Sequence, residues 1–294
     1  MFTNVLVGVD GRVSGRDAIA LAAQLTEPGG AITLAHVYPG IYKPSHAIVR
    51  GMVTEDRERA QALLEKEREQ AGVEAQLAAV QAPSPGQGLH ERAEEQGADL
   101  LVLGTCRHGI VGRVVLGNDT RAAINGAPCA IAVAPLGYAE HATPFATIGV
   151  GYDGSRESEA ALEAAKLLAQ RTRAEVRARE VVSIPYTGFV GPIGSGLDEM
   201  IAEAQKQMES LQGVRGDATY GLTGEELAEL SAEVDLLIVG SRGYGPLRRV
   251  MLGSTSINLQ ARARGPLLIL PRGTRYAAPS HSDASEGAES PIVA

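Results

Sequence analysis

Short, uninterrupted apolar runs alternate with amphipathic, alanine-rich stretches along most of the chain. The first run is Asn4-Val-Leu-Val-Gly-Val-Asp10, and others are Ala31-Ile-Thr-Leu-Ala-His-Val37 and Ala98-Asp99-Leu-Leu-Val-Leu-Gly104. A run of this kind predicts a strand buried on both faces, as in a parallel sheet. Between the runs, residues 17–25, 54–70 and 87–96 carry apolar residues on one helical face, such as Ala60, Leu63 and Leu64, against a polar remainder. That spacing predicts helices covering the sheet. A short third strand is expected near residues 73–80 and a closing strand over Ala130 to Ala134. Strands alternating with helices imply parallel βαβ units joined by right-handed crossovers.

The whole pattern occurs twice. Asn4-Val-Leu-Val-Gly-Val-Asp10-Gly11 returns as Thr147-Ile-Gly-Val-Gly-Tyr-Asp153-Gly154, and Ala98 to Gly104 returns as Val234-Asp235-Leu-Leu-Ile-Val-Gly240. Gly126-Ala-Pro128 and the apolar run after it return as Arg264-Gly-Pro266-Leu-Leu-Ile-Leu-Pro271. Helices are expected over 157–170, 198–211 and 223–232, with strands over 174–182 and 214–220. The expected fold is α/β: two tandem doubly wound domains, each a five-stranded parallel sheet ordered 3-2-1-4-5 with helices on both faces. Domain 1 is placed at 1–138, a linker at 139–145 and domain 2 at 146–273. A tail over 274–294, rich in Ser, Ala, Pro and Glu, is expected to be disordered. Each domain opens after its second strand into an irregular segment, with Pro39, Pro44 and Gly51 in one and Pro185, Gly188 and Gly191 in the other. The repeat offset is 143 at Asp153 and 136 at Gly240, so about seven extra residues fall in the middle of the first half.

In an open α/β sheet a ligand sits beyond the carboxyl ends of the strands, where the strand order reverses. Asp153 ends the first strand of the second half and Gly240 ends its fourth, so the two converge on one crevice. Gly240-Ser-Arg-Gly243 runs on through nine residues to Gly253-Ser254-Thr255. Glycines let backbone N–H groups approach an anion, a helix N-terminus offers free donors, and the two hydroxyls add more. This is the chemistry of a polyphosphate cradle. The aspartate suits a ribose, a base or a divalent ion held with the phosphates, and an N-cap of the following helix is its structural alternative.

These motifs resemble those of the universal stress protein family, and the resemblance covers residues 1–136 and 146–272. It implies that Asp153 and Val181 hold the adenosine portion of ATP, while Gly240, Gly243, Gly253, Ser254 and Thr255 hold the phosphates, with Mg2+ as companion ion. In the first half it implies Asp10, Val37, Gly104 and Gly117. That half departs from the family pattern at Arg107, which replaces the second glycine, and at Asn118, which replaces the serine. A Cβ obstructs close backbone approach and any left-handed conformation. Nucleotide binding in the first half is therefore left open, and ATP is expected mainly in the second.

Composition narrows the classes further. The chain is 44% hydrophobic but only 4% aromatic, without Trp, so its cores are built from Ala, Val, Leu and Ile. A net charge of -8 gives no basic face for nucleic acid. No apolar run reaches membrane-spanning length, the opening residues lack a secretory pattern, and a cytoplasmic location is expected. Cys106 and Cys129 are too few for a metal cage or a disulfide framework. Gly149-Val-Gly151-Tyr-Asp-Gly154 fits the dinucleotide fingerprint, but its first two glycines fall inside the strand rather than in the turn after it. No nucleophile elbow or zinc helix is present in the sequence, and no catalytic residue is assigned. The histidines are scattered, with His36 read as a structural residue at a strand end and His108 on the first-half loop. The expected function is that of an ATP-binding, nucleotide-responsive regulator. The alternatives are an interaction module with vestigial sites and a slow ATP hydrolase. Expected partners are an adenine nucleotide and the other half of the same chain, whose apolar closing strands invite edge-to-edge pairing; a homodimer is the further alternative.

Overall fold

The computed structural model describes residues 1–39, 47–105, 114, 117–183, 194–241, 250, 259 and 262–273. In the first half, β1 (Phe2–Gly8), α1 (Val13–Leu25), β2 (Thr26–Pro39), α2 (Ala47–Ala71), β3 (Gln76–Ala82), α3 (Pro85–Gln96), β4 (Leu100–Gly104), α4 (Asn118–Ile124) and β5 (Ala130–Ala134) follow in order. A short helix α5 (Tyr138–His141) occupies the start of the expected linker. The second half repeats the scheme as β6 (Thr147–Gly151), α6 (Arg156–Thr172), β7 (Glu175–Val182), α7 (Gly194–Glu209), β8 (Arg215–Tyr220), α8 (Thr223–Leu230), β9 (Leu236–Gly240) and β10 (Leu267–Leu270).

All ten strands form one sheet, ordered β3-β2-β1-β4-β5-β10-β9-β6-β7-β8. Within each half the pairs are parallel, and the halves meet where β5 runs antiparallel to β10, with Leu268 opposite Ala132. Every residue of both closing strands is buried. The expected edge-to-edge pairing is thus present within the chain, and it removes two apolar edges from solvent.

The sheet separates two continuous cores. On one face Leu21 and Leu25 of α1 share a cluster with Leu168 of α6 and with Leu268 of β10. On the other, Leu89 of α3 and Leu227 of α8 pack with Leu6, Leu101, Ile131, Leu237 and Ile269. Local chemistry fixes the helix ends. Ser84 accepts from the Gln87 amide ahead of Pro85 at the start of α3, and Gly97 closes that helix in the left-handed region.

Two boundaries differ from the sequence expectation. β2 begins at Thr26 rather than near Ala31, because the chain bulges between the pairs Phe2–Thr26 and Asn4–Ala31, with Gly29 at φ 82°. α2 begins at Ala47 rather than Thr54 and is 25 residues long, against 16 in α7. The tail over 274–294 lies outside the described residues. Among the described residues no helix is long and apolar enough to cross a membrane.

Candidate functional site

β1 pairs with β2 on one side and β4 on the other, and β6 pairs likewise with β7 and β9. Each half therefore has its switch point between the ends of these strands, and a crevice opens there. The first crevice, about 470 Å3, includes Asp10, Val37, Gly104 and Gly117 in its lining. The second, about 380 Å3, includes Asp153, Val181 and Gly240. The structure thus brings these seven sequence-derived residues together in two sets. Gly243, Gly253, Ser254 and Thr255 lie outside the described residues, as do Arg107, His108 and Cys106.

The two aspartates form Asx turns rather than helix caps. The Arg12 amide donates to Asp10 Oδ1 at 3.1 Å, and the Ser155 amide donates to Asp153 Oδ1 at 3.0 Å. The cap of α6 is Ser155, whose hydroxyl accepts from the Ser158 amide at 3.2 Å. This corrects the N-cap alternative: the carboxylate sits two residues before the cap and faces solvent at the crevice mouth. Burial alone pushes the Asp153 carboxyl up, but hydrogen bonds from Ser155 and Ser158 outweigh it and leave the pKa lowered. Asp153 is an anion at neutral pH.

Gly104 and Gly240 leave no room for a Cβ. A Cβ on Gly104 would lie 2.0 Å from the Ser14 carbonyl oxygen, and one on Gly240 would lie 2.7 Å from the Glu157 Cβ. These glycines let the first turn of α1 or α6 settle against the end of the fourth strand, which positions the Asx turn beside it. Gly149 and Gly151 lie within β6, where a Cβ would meet Val234 at 2.9 Å or Leu227 at 2.9 Å. They serve helix packing and form no dinucleotide turn.

Several lining residues were not singled out from sequence. Thr105 and Ser241 directly follow the strand-end glycines, line the two crevices and are 2% and 4% exposed. Neither hydroxyl has a hydrogen-bond partner among the described residues. Their signal was present in the repeat, as hydroxyl residues at matched positions 136 apart, but burial is not written in local sequence. Ser14 and Thr120 add hydroxyls to the first crevice, while Glu157 and Arg179 add charges to the second. His36 Nδ1 donates to the Val9 carbonyl at 2.7 Å, since a carbonyl only accepts. Among the described residues no three His, Cys, Asp or Glu side chains converge as a metal site.

The sequence model of the universal stress protein family matches twice, over residues 1–135 and 144–271. Among curated proteins, universal stress protein Rv2005c of Mycobacterium tuberculosis is 28% identical over 182 residues, which cover 58% of this chain and 61% of that protein. The chain therefore spans about three fifths of the length of the first relatives it matches. Universal stress protein Rv2319c of the same organism is 26% identical over 198 residues, covering 63% of this chain and 68% of its own. A universal stress protein structure from Archaeoglobus fulgidus superposes with a TM-score of 0.64 at 18% identity, covering 93% of this chain and 100% of that one. This last likeness shows the fold. With two successive family matches covering both halves of the sheet, the chain belongs to the universal stress protein family, as two family domains in tandem.

Proposed function

We propose that the protein binds ATP, with Mg2+ as companion, in the crevices at its switch points and works as a nucleotide-responsive regulator rather than a metabolic catalyst. The observation that carries this reading is the pair of buried hydroxyls, Thr105 and Ser241, which have no partner among the described residues and line the crevices at equivalent positions. An unsatisfied buried hydroxyl costs about 1–3 kcal/mol, and phosphate oxygens beside it offer strong acceptors. At the mouth of each crevice Asp10 or Asp153 suits ribose hydroxyls or a divalent ion held with the phosphates, and Val37 or Val181 offers an apolar wall. ATP supplies the phosphate charge for a divalent ion, to which Asp153 contributes the protein carboxylate.

The complete run of Gly240, Gly243, Gly253 and Ser254 supports phosphate binding in the second half. The larger first crevice, with apolar Ala35, Val37, Pro85 and Leu89, supports a nucleotide there as well. Calorimetric titration with Mg-ATP tests the reading. The wild type is expected to bind ATP, Asp10→Ala and Asp153→Ala each to weaken one component, and the double variant to lose both. A folded double variant with wild-type ATP affinity would overturn the assignment.

A further inference from the structure

The segment that follows the first strand of each half carries opposite charge in the two halves. Residues 10–16 hold one acid, Asp10, against Arg12 and Arg16, whereas the matched residues 153–159 hold Asp153, Glu157 and Glu159 against Arg156. The contrast reaches the crevices themselves. Asp10, Arg12 and Ser14 line the first, and their counterparts Asp153, Ser155 and Glu157 line the second.

Arg12, at the start of α1, has a side chain 59% exposed, and its Nη1 lies 3.9 Å from Asp10 Oδ2, too far for a hydrogen bond. Its donors face an anion arriving at the crevice mouth. Arg16 is engaged elsewhere, by Glu67 at 3.3 Å. The first turn of α1 has no acidic residue and no side-chain cap, so beyond Asp10 nothing in that turn opposes an anion at the positive end of the helix. Thr105 lines the same crevice, buried and without a partner among the described residues. In the second half Ser155 caps α6 by accepting from the Ser158 amide at 3.2 Å, and Glu157 and Glu159 occupy the first turn. Glu157 stands against Gly240, and Ser241 follows as the equivalent unpartnered hydroxyl. Arg272 Nε lies 3.5 Å from Glu157 Oε1 and offsets part of its charge, while Arg179 of the crevice lining is held by Asp217 at 2.7 Å.

Resting on the nucleotide binding proposed above, we propose that the crevices differ in their need for a divalent cation. The first accepts the polyphosphate bare, through Arg12, the start of α1 and Thr105; the second accepts it only as the metal complex. A bare triphosphate meets two carboxylates at the second crevice, Asp153 and Glu157, where the first presents a carboxylate and a guanidinium. Mg2+ held by the phosphates cancels part of their charge and turns Asp153 from a repelling group into an attracting one. At the first crevice Arg12 supplies that positive charge from the protein. One chain thereby distinguishes free from metal-bound nucleotide at separate sites.

Amide NMR of the full chain reads the crevices separately, through Ser14 and Gly15 for the first and Glu157 and Ser158 for the second. ATP with MgCl2 is expected to shift both sets. With EDTA in place of magnesium, the first set should titrate within about threefold of its former midpoint, and the second should weaken about tenfold or more. Glu157→Gln keeps the shape and removes the charge, and should bring the loss at the second crevice below about threefold. Arg12→Ser, which copies the matched position, should impose a loss of about tenfold on the first. Arg12 is exposed, so its variant keeps the test open should loss of the Arg272 pair unfold the Glu157→Gln protein. Equal weakening of both sets on magnesium withdrawal, or a contrast unchanged in the folded variants, would overturn the proposal and leave nucleotide binding standing. No shift in either set with Mg-ATP would overturn both readings.

Discussion

The amide of Val114 donates to the carbonyl of Ala263 at 2.8 Å, a bond that crosses from the first half to the second. Its repeat counterpart returns the bond, from the Val250 amide to the Ala127 carbonyl at 3.0 Å. The exchange flanks the antiparallel pairing of β5 with β10 and repeats its two-fold relation. Cores on both faces continue across the same seam. The halves are therefore expected to unfold together. Scanning calorimetry should give one transition with equal calorimetric and van't Hoff enthalpies; two resolved transitions would show that the seam is weaker than its packing implies.

Arg171, in the last turn of α6, reaches the carbonyls of Gln24, Leu25 and Thr26 at the end of α1 and pairs with Glu27 at 3.3 Å. One guanidinium thus satisfies the free carbonyls of a helix in the other half and complements its dipole. Arg171→Ala is expected to cost about 1.5–3 kcal/mol, the range for hydrogen bonds to a charged group. The loss is read as a lowered urea midpoint with an unchanged slope. An unaltered midpoint would reduce this contact to surface decoration.

Substitution of the strand-end glycines separates packing from ligand chemistry. Gly104→Ala drives a Cβ onto the Ser14 carbonyl oxygen, whereas Gly240→Ala meets the Glu157 side chain and backbone at 2.7–2.9 Å. Both are expected to destabilise by about 1–3 kcal/mol, with Gly104→Ala the more severe because only backbone opposes it. Equal melting temperatures for the two variants and the wild type would mean that α1 and α6 are free to retreat.

Much of this arrangement is legible in the sequence because duplication repeats its strongest signals. Asp10 and Asp153 mark the turns just after β1 and β6, and Gly104 and Gly240 mark the ends of β4 and β9. Other features depend on three-dimensional neighbours. That Ser155 rather than Asp153 caps α6 is decided by a two-residue turn, and that β2 starts at Thr26 by a bulge around Gly29. Arg179 reads in sequence as one charge in a strand beside Arg177 and Glu180; its pairing with Asp217 and its place in the lining of the second crevice emerge only in three dimensions.

Two aspartates are expected to titrate in opposite directions. Asp17 is fully buried, and burial raises its pKa against the lowering effect of amide bonds from Ala139 and Gly137. Its folded pKa lies above the unfolded one, so the wild type is expected to lose stability relative to Asp17→Asn as pH rises through that interval. For Asp153 burial raises the pKa, but the serine hydrogen bonds lower it further. Its contribution is present above the unfolded pKa and is lost as pH falls through the folded one. Carbon-detected NMR titration should place the Asp153 midpoint below the ordinary aspartate value and that of Asp17 above it. Ser158→Ala should bring Asp153 upward, and midpoints in the reverse order would contradict the assigned causes.

The buried hydroxyls give the sharpest separation of structure from binding. Thr105 and Ser241 have no partner among the described residues, so Thr105→Val and Ser241→Ala remove a desolvated dipole without breaking a bond described there. Replacement of such a group by an apolar one of similar shape is near neutral or stabilising. The melting temperature of the double variant is accordingly expected to match or exceed that of the wild type. If each hydroxyl serves a phosphate, ATP affinity should nevertheless fall about tenfold at the altered crevice, equivalent to about 1.4 kcal/mol. Thr105→Ser keeps the oxygen and should restore binding in the first half. A stable double variant that binds ATP as tightly as the wild type would detach these hydroxyls from the ligand and remove the main support for nucleotide binding.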